Sequence, residues 1–178
     1  GGGGGGFLDK YRHIHECHVT DFETKWLDTA KKNNINVIIG GIDQLIKQEN
    51  KYDLIIMNHV VEHWSDFEHE ILNLKKLCTL NKTKVFIEVP GIDSLKKGRR
   101  EGDIRGDVIF YHYHYFTSYT LKQLMGKFGF HCLYSDDKAR LIFELTNVEN
   151  PSQINKSFYT DVKKDIKKGL NKKIYFLL

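Results

Sequence analysis

The sequence lacks the features that carry a chain into or across a membrane. Its apolar runs fall short of the roughly 18 residues that a bilayer-spanning helix needs, which excludes an integral membrane segment. The start has no basic segment followed by an apolar one, so we expect no secretory signal. At 178 residues, with an ordinary globular composition, the chain is expected to form one main domain in the cytoplasm.

Cysteine is scarce as well. Cys17, Cys78 and Cys132 are odd in number and far apart, and none lies in a C-x-x-C pair. A disulfide framework or a cysteine zinc site would need paired or closely spaced cysteines. The sequence therefore indicates neither a disulfide framework nor a cysteine zinc site, and we expect reduced thiols.

Charge of one sign is also weak. The net charge is only +4, and its excess is concentrated near the C-terminus. A nucleic-acid-binding surface would need basic and aromatic residues clustered on one face. We therefore expect no nucleic-acid partner.

What the sequence does contain is a series of short apolar segments separated by helical patterns. Strands alternating with helices, then a terminal strand pair, predict an α/β fold: a mostly parallel sheet with helices on both faces and an antiparallel pair at the end. Ligands in such sheets bind beyond the carboxyl ends of the strands. The strands are predicted at residues 16–23, 35–41, 52–58, 83–90, 131–137 and 139–147.

One strand end carries His59, Glu62 and His63 in the order H-x-x-E-H, a pattern found in one class of zinc peptidases. Peptidase chemistry needs both histidines on one face of a helix. Ser65 followed by Glu68 reads as a capping box, which predicts that the helix starts only at about Ser65. A metal-dependent hydrolase is therefore a minor alternative. The turn could also lie beside a divalent ion without being a peptidase site, and this stays open. The favoured prediction is that none of these residues is a metal ligand.

The segment "YHYHYF", residues 111–116, alternates histidine with tyrosine. If it is extended, the histidines lie on one side and the tyrosines on the other. Such alternation is typical of a half-buried strand or lid within the long loop predicted at residues 91–115. Alternatively, His114 or Tyr115 contacts a substrate, with His114 as a general base.

Several of these segments together resemble a known family. "YDLIIMNHVVEHWSDFEHEILNLKKLCTLNKTKVFIEVPG" and "HYFTSYTLKQLMGKFGF" resemble, in order and spacing, two blocks of class I S-adenosylmethionine-dependent methyltransferases. The resemblance covers roughly residues 1–147 and implies a Rossmann-like fold, S-adenosylmethionine as cofactor and a small-molecule acceptor. It implies His63 and His114 as catalytic residues, with Glu62 and Tyr115 in contact with the substrate.

The resemblance also implies a set of cofactor-binding residues. Glycines in the loop after the family's first strand let the backbone approach the cofactor, and an acidic residue after the second strand, here Glu23, accepts the ribose hydroxyls. Gly41 departs from the acidic residue often found near the adenine, with Asp43 as the nearest substitute. The implied cofactor-binding residues are Gly1, Gly3, Gly5, Glu23, Gly41, Ile42, Asp43, Asn58 and His59.

One feature departs from the family pattern. The family's first strand should precede the glycines, and nothing in this sequence corresponds to it. We therefore expect residues 1–150 to form a methyltransferase-like domain that is incomplete at its N-terminus. Residues 151–178 are expected to form a lysine-rich amphipathic helix that packs on the domain, on a partner or on a second copy. The less favoured alternative is that this helix lies on an anionic membrane surface.

The resulting prediction is a methyltransferase that acts on a small molecule. The rival prediction, which the absent strand favours, is a degenerate methyltransferase fold that binds or assembles without catalysis.

Overall fold

The computed structural model describes residues 1–92, 109–148, 160–164 and 167. Within these residues, strands and helices alternate as the sequence predicts. The strands are β1 (His18–Asp21), β2 (Asn36–Ile39), β3 (Leu54–Asn58), β4 (Lys84–Glu88), β5 (Phe130–Ser135) and β6 (Arg140–Leu145). The helices are α1 (Thr24–Lys32), α2 (Ile42–Ile46), α3 (Phe67–Leu77) and α4 (Ser118–Gly126), with a 3₁₀ turn at Val61–His63.

The strands form two sheets. β1 and β2 are parallel and form a two-stranded sheet, whereas the second sheet has the order β3-β4-β6-β5. In that second sheet β3 and β4 are parallel, and β6 runs antiparallel to both β4 and β5. This confirms the predicted α/β fold with its antiparallel terminal pair. No strand among the described residues pairs with both β1 and β3, so the sheet is interrupted where the sequence predicts a missing strand.

Each sheet has its own hydrophobic core. The larger core packs α3 and α4 against the four-stranded sheet, and its side chains include Ile71, Leu74, Val85, Leu121 and Phe143. β6 follows the alternation expected of a strand with one buried face, since Leu141, Phe143 and Leu145 are buried. Each such side chain contributes about 1.5–3 kcal/mol relative to an exposed one. The smaller core holds α1 against β1 and consists of Val19, Leu27, Ala30 and Ile35.

The sequence predicts that α1 stops at Asn33 or Asn34 and that Thr117 or Ser118 caps the helix after the aromatic segment. The structure agrees with both: Asn33 is the C-terminal cap of α1, and Thr117 caps α4, where its hydroxyl and backbone N–H form a capping box with Thr120. The predicted cap of α3 at Ser65 is wrong. Asp66 is the cap, because its carboxylate accepts the backbone N–H of His69 at 3.0 Å and a charged acceptor suits a helix N-terminus.

Two further predictions concern segments near the chain's C-terminal half. Of the predicted loop at 91–115, residues 93–108 lie outside the described residues. Of the predicted C-terminal helix, residues 160–164 are helical, and most of the remainder lies outside the described residues. No helix in the described part of the chain is long and apolar enough to cross a membrane.

Candidate active site

The glycine loop, residues 1–6, lies across the carboxyl ends of β1 and β3. Gly2 donates its backbone N–H to the carbonyl oxygen of Thr20 at 2.8 Å, and Gly3 donates to the Asp21 carboxylate at 2.9 Å. A Cβ atom on Gly1 would lie 3.2 Å from Cγ2 of Val60 and 3.7 Å from the carbonyl oxygen of His59. The loop therefore bridges the two sheets at the edge where ligands of this fold bind.

Two positions in this loop require glycine for different reasons. Gly5 has a φ of +69°, and a Cβ atom there would lie 2.9 Å from Cδ1 of Ile35, against the smaller core. Gly3 has a φ of +51°, and a Cβ atom there would meet nothing within 4 Å. Both conformations lie in the left-handed region that glycine adopts without a steric penalty. Gly5 closes the loop onto the domain, whereas Gly3 leaves open space in which a ligand could approach the backbone.

Asp21 is the acidic residue at the end of β1. Its carboxylate accepts backbone N–H groups of Gly3 at 2.9 Å and Glu23 at 3.0 Å. Partial burial acts to raise the pKa of Asp21, but the backbone hydrogen bonds outweigh it and hold the pKa below its usual value. Asp21 is therefore an ionised acceptor fixed beside the glycine loop.

Glu23, which the sequence analysis assigns to the ribose, has a different local role. Its side chain caps α1 by accepting the backbone N–H of Lys25 at 3.3 Å. The sequence analysis missed Asp21 because it placed the end of the strand at residue 23, two residues too late. The signal was present: an apolar–threonine–acid sequence, Val19 to Asp21, ends the strand.

The end of β2 lies beside the end of β1. Gly40 donates its backbone N–H to the carbonyl oxygen of Asp21 at 3.0 Å, and Gly41 is the N-terminal cap residue of α2. The Phe22 side chain is 76% exposed, and its ring lies 3.2 Å from where a Cβ atom on Gly41 would be. Next to Gly41, Asp43 is exposed, whereas the Ile42 side chain is buried in the larger core, so a ligand at this end would meet its backbone.

The end of β3 brings Asn58 and His59 to the same edge. Asn58 is the exposed last residue of the strand and pairs with Glu88 of β4. His59 has a left-handed backbone, with φ of +53°, and donates its N–H to the carbonyl oxygen of Glu88 at 2.9 Å. This turns the chain out of the sheet directly beside Gly1. The predicted cofactor-binding residues thus lie at the carboxyl ends of β1, β2 and β3.

The 3₁₀ turn after β3 holds the aromatic segment in place. The carbonyl oxygen of Glu62 accepts the backbone N–H groups of Tyr113 at 2.9 Å and His114 at 3.2 Å. Nδ1 of His63 lies 3.1 Å from the carbonyl oxygen of Tyr111. Because a carbonyl oxygen only accepts, Nδ1 carries the proton and donates it to this hydrogen bond. His59 lies outside this turn, so the two histidines of the H-x-x-E-H pattern do not share a helical face.

Glu62, His63 and His112 form a compact group, which we call the imidazole cluster. One ligand atom from each lies within 4.8 Å of the others. The His63 and His112 rings meet edge to face with centroids 4.8 Å apart. Glu62 is only 1% exposed, and its Oε1 contacts His59 Nδ1 at 3.2 Å and His63 Nε2 at 3.8 Å. Its Oε2 has no hydrogen-bond partner among the described residues.

The other two predicted site residues lie in the same segment but face other groups. The His114 ring is half-buried between Phe67 and Phe116, with centroid distances of 6.0 and 5.7 Å. The Tyr115 hydroxyl accepts the N–H of Ile109 at 2.7 Å and lies 3.1 Å from the carbonyl oxygen of the same residue. The structure therefore groups Glu62 with His63, and it adds His112, which the sequence analysis did not select.

Comparison with known proteins identifies the family. The chain matches the methyltransferase-domain family over residues 1–135. A search of curated proteins finds no match. A solved S-adenosylmethionine-dependent methyltransferase from Thermotoga maritima has a TM-score of 0.62 at 16% identity, covering 80% of this chain and 77% of that one.

A second solved structure is a plantazolicin methyltransferase in complex with a triazolic desmethylplantazolicin analogue and S-adenosylhomocysteine. It has a TM-score of 0.56 at 17% identity and covers 96% of this chain and 68% of that one. At these identities the structural likeness shows the fold, and the family match supplies the assignment. The chain therefore belongs to the methyltransferase-domain family and has the fold of the class I methyltransferases, whose cofactor is S-adenosylmethionine.

Proposed function

We propose that this chain is an S-adenosylmethionine-dependent methyltransferase that acts on a small-molecule acceptor in the cytoplasm. The observation that carries the proposal is the meeting of the glycine loop, the Asp21 carboxylate and the 3₁₀ turn at one edge of the fold. A backbone open to a ligand, a fixed carboxylate and titratable side chains are the groups that this reaction requires of a protein.

The residues at this edge suit the parts of the cofactor. The Asp21 carboxylate has about four lone-pair sites on its two oxygens, so beside the N–H groups of Gly3 and Glu23 it retains acceptor capacity for a ribose hydroxyl. Glu23 lies two residues further on and is the second candidate for this role. The exposed Phe22 ring and the Gly41–Asp43 backbone would border the adenine, since aromatic faces stack on flat rings.

The glycines and the end of β3 would hold the remainder. Gly1, Gly3 and Gly5 keep side chains away from the bound molecule, and Asn58 and His59 would border its methionine portion. When bound, S-adenosylmethionine supplies a methyl group already activated on a sulfonium. The protein's task is then to orient the acceptor and to remove its proton.

The proton-removing group would come from the turn or from the aromatic segment. His63 is partly exposed and fixed by the Tyr111 carbonyl, while His114 is held through its backbone by Glu62. Each imidazole has a ring nitrogen that could accept the proton of the acceptor group. Glu62 and Tyr115 would border the acceptor, and the exposed rings of Tyr111 and Tyr113 favour an acceptor with a flat apolar portion.

A second function, a non-catalytic binding module, is favoured by one observation. β1 and β3 belong to separate sheets, so the floor beneath the cofactor-binding edge is interrupted. A fold in this state could retain a binding role without supporting turnover.

A methyl-transfer assay separates the two functions. The chain is incubated with S-adenosylmethionine carrying a radiolabelled methyl group and a panel of small amines, phenols and carboxylic acids. We expect transfer to at least one acceptor, and we expect His63→Ala or His114→Ala to slow it by roughly 100-fold or more, the usual contribution of a general base.

His131→Ala is the matched control, because His131 is exposed on β5, away from the turn. It should transfer at the unsubstituted rate. Tight cofactor binding with no transfer to any acceptor would favour the binding module instead.

A further inference from the structure

The imidazole cluster has properties that the proposed methyl transfer does not require. It joins two segments far apart in sequence: Glu62 and His63 on the 3₁₀ turn, and His112 on the aromatic segment. The two segments are fixed to one another through the backbone, because the Glu62 carbonyl oxygen accepts two N–H groups from residues 113 and 114. The three side chains therefore converge on a preformed point, with little ordering left to be done on binding.

His63 presents a lone pair to a carboxylate. Its Nδ1–H donates to the Tyr111 carbonyl, so in the neutral ring the other nitrogen, Nε2, carries no proton. That nitrogen lies 3.8 Å from Oε1 of Glu62, which is also an acceptor. Two acceptors facing each other repel unless a proton or a metal cation lies between them. A backbone carbonyl that fixes the outer nitrogen of a histidine is also the arrangement that orients histidine ligands in metal sites.

Glu62 is a buried carboxylate short of partners. At 1% exposure it has little contact with water, and a buried charge is costly unless it is paired or coordinated. In the described part of the chain its ion-pair contacts are both histidines, His59 and His63, and its Oε2 accepts no hydrogen bond. His59 contacts Oε1 at 3.2 Å, and the second oxygen, which is also buried, has no hydrogen-bond partner among the described residues.

We propose that Glu62, His63 and His112 bind one divalent first-row transition-metal ion. Two imidazole nitrogens and one carboxylate oxygen suit Zn²⁺, Mn²⁺, Fe²⁺ or Co²⁺ better than Mg²⁺ or Ca²⁺, which prefer sites built of oxygen alone. Bonds of about 2.0–2.2 Å would bring the ligand atoms to about 3–3.5 Å from one another. The present separations, within 4.8 Å, would have to shorten by at most about 1.8 Å to reach this.

The site goes beyond the proposed function and does not depend on it. Three protein ligands leave one or more coordination positions open, as in catalytic rather than structural metal sites. With the ion bound, His63 is a ligand, so the proton-removing role in the proposed reaction falls to His114. The sequence alone favours a metal-free turn at residues 59–63, because the H-x-x-E-H pattern does not indicate that His112 lies beside this turn.

The test is metal binding by the tag-free, chelator-treated chain. Equilibrium dialysis against Zn²⁺, Mn²⁺ and Co²⁺, followed by elemental analysis, gives the stoichiometry, and the visible spectrum of the Co²⁺ form reports the ligands. We expect one equivalent of at least one of these ions per chain. Glu62→Gln and His112→Asn should each weaken binding by at least about 10-fold, the lower end of the effect even of outer ligand-orienting groups.

The controls keep the result independent of folding and of methyl transfer. His131→Ala removes an exposed histidine and should retain the full equivalent. Circular dichroism and thermal melts of Glu62→Gln and His112→Asn establish that both variants are folded. Absence of stoichiometric binding by the unsubstituted chain, or binding that both cluster variants retain, would overturn the metal site whether or not the cofactor binds.

Discussion

Replacing Asp21 with asparagine tests the cofactor-binding edge most selectively. The substitution keeps the size of the side chain but removes its charge and turns one acceptor oxygen into an NH₂ donor. In the structure the two carboxylate oxygens accept N–H groups of Gly3 and Glu23 at 2.9 and 3.0 Å. The amide can accept only one of the two and would face the other with its own donor.

The expected cost to stability is modest. A hydrogen bond to a charged group contributes about 1.5–3 kcal/mol, and the partial exposure of Asp21 favours the lower end. Losing one of the two should lower the free energy of unfolding by about 1.5 kcal/mol, or the melting temperature by about 3–6 °C for a chain of this size. Losing the acceptor for the ribose hydroxyls should raise the dissociation constant of S-adenosylhomocysteine by about 10- to 100-fold.

Calorimetric titration and thermal melts measure the two effects on the same samples. Asp28→Asn, on the exposed side of α1, is the matched control and should change neither quantity. Glu23→Ala should weaken cofactor binding less than Asp21→Asn does. An Asp21→Asn variant that binds S-adenosylhomocysteine within twofold of the unsubstituted chain would refute the assignment of Asp21 to the cofactor.

The same carboxylate has a consequence for acid stability. Its folded-state pKa lies below the unfolded value, so its stabilising contribution is fully present above the ordinary aspartate pKa of about 4 and is lost as the pH falls through the folded value. Between about pH 5 and pH 3 the unsubstituted chain should therefore lose stability more steeply than Asp21→Asn, by chemical unfolding at each pH. Parallel profiles of the two chains would contradict this.

Three further changes test the structure around the site. Gly5→Ala should lower the melting temperature by several degrees and weaken cofactor binding, because φ is +69° and the new Cβ would lie 2.9 Å from a core methyl. Gly6→Ala is the control, since a Cβ atom there would meet nothing within 4 Å, and it should change neither quantity. Equal melting temperatures for the two variants would contradict this prediction. Thr117→Ala removes the cap of α4 and should lower the free energy of unfolding, measured by chemical denaturation, by about 1 kcal/mol. An unchanged denaturation midpoint would contradict this. Burial raises the pKa of Cys78 to about 12, so this thiol should be the last to react with a maleimide at pH 7.5, and early labelling of Cys78 by mass spectrometry would disagree.

The order of strands and helices could be predicted because it depends on local patterns. Continuous apolar segments such as the one from Leu54 to Met57 mark strands, although β3 lies at the edge of its sheet and buries only Met57. The capping threonine of α4 marks a helix start. The ends of helices were harder to predict, because neighbouring residues can each take the cap position. Ser65 and Asp66 can both cap α3, and only the direction of their side chains in the structure decides for Asp66.

The strand ends indicated where the glycine loop, Asn58 and His59 lie, and the structure brings them to one edge. Their assignment to the cofactor stays a prediction. The role that we propose for Asp21 depends on where β1 ends, a difference of two residues that periodicity does not resolve. The place of His112 depends on hydrogen bonds from the Glu62 carbonyl to a segment about 50 residues away, and no local pattern carries that information.

The central claim is that this chain binds the methyl-donor cofactor at the edge formed by the glycine loop and Asp21. Calorimetric titration of the folded chain with S-adenosylhomocysteine, the demethylated product, tests it most directly. The account predicts one site per chain with micromolar affinity, which Asp21→Asn weakens and Asp28→Asn leaves unchanged. A folded sample that takes up no S-adenosylhomocysteine would contradict the account.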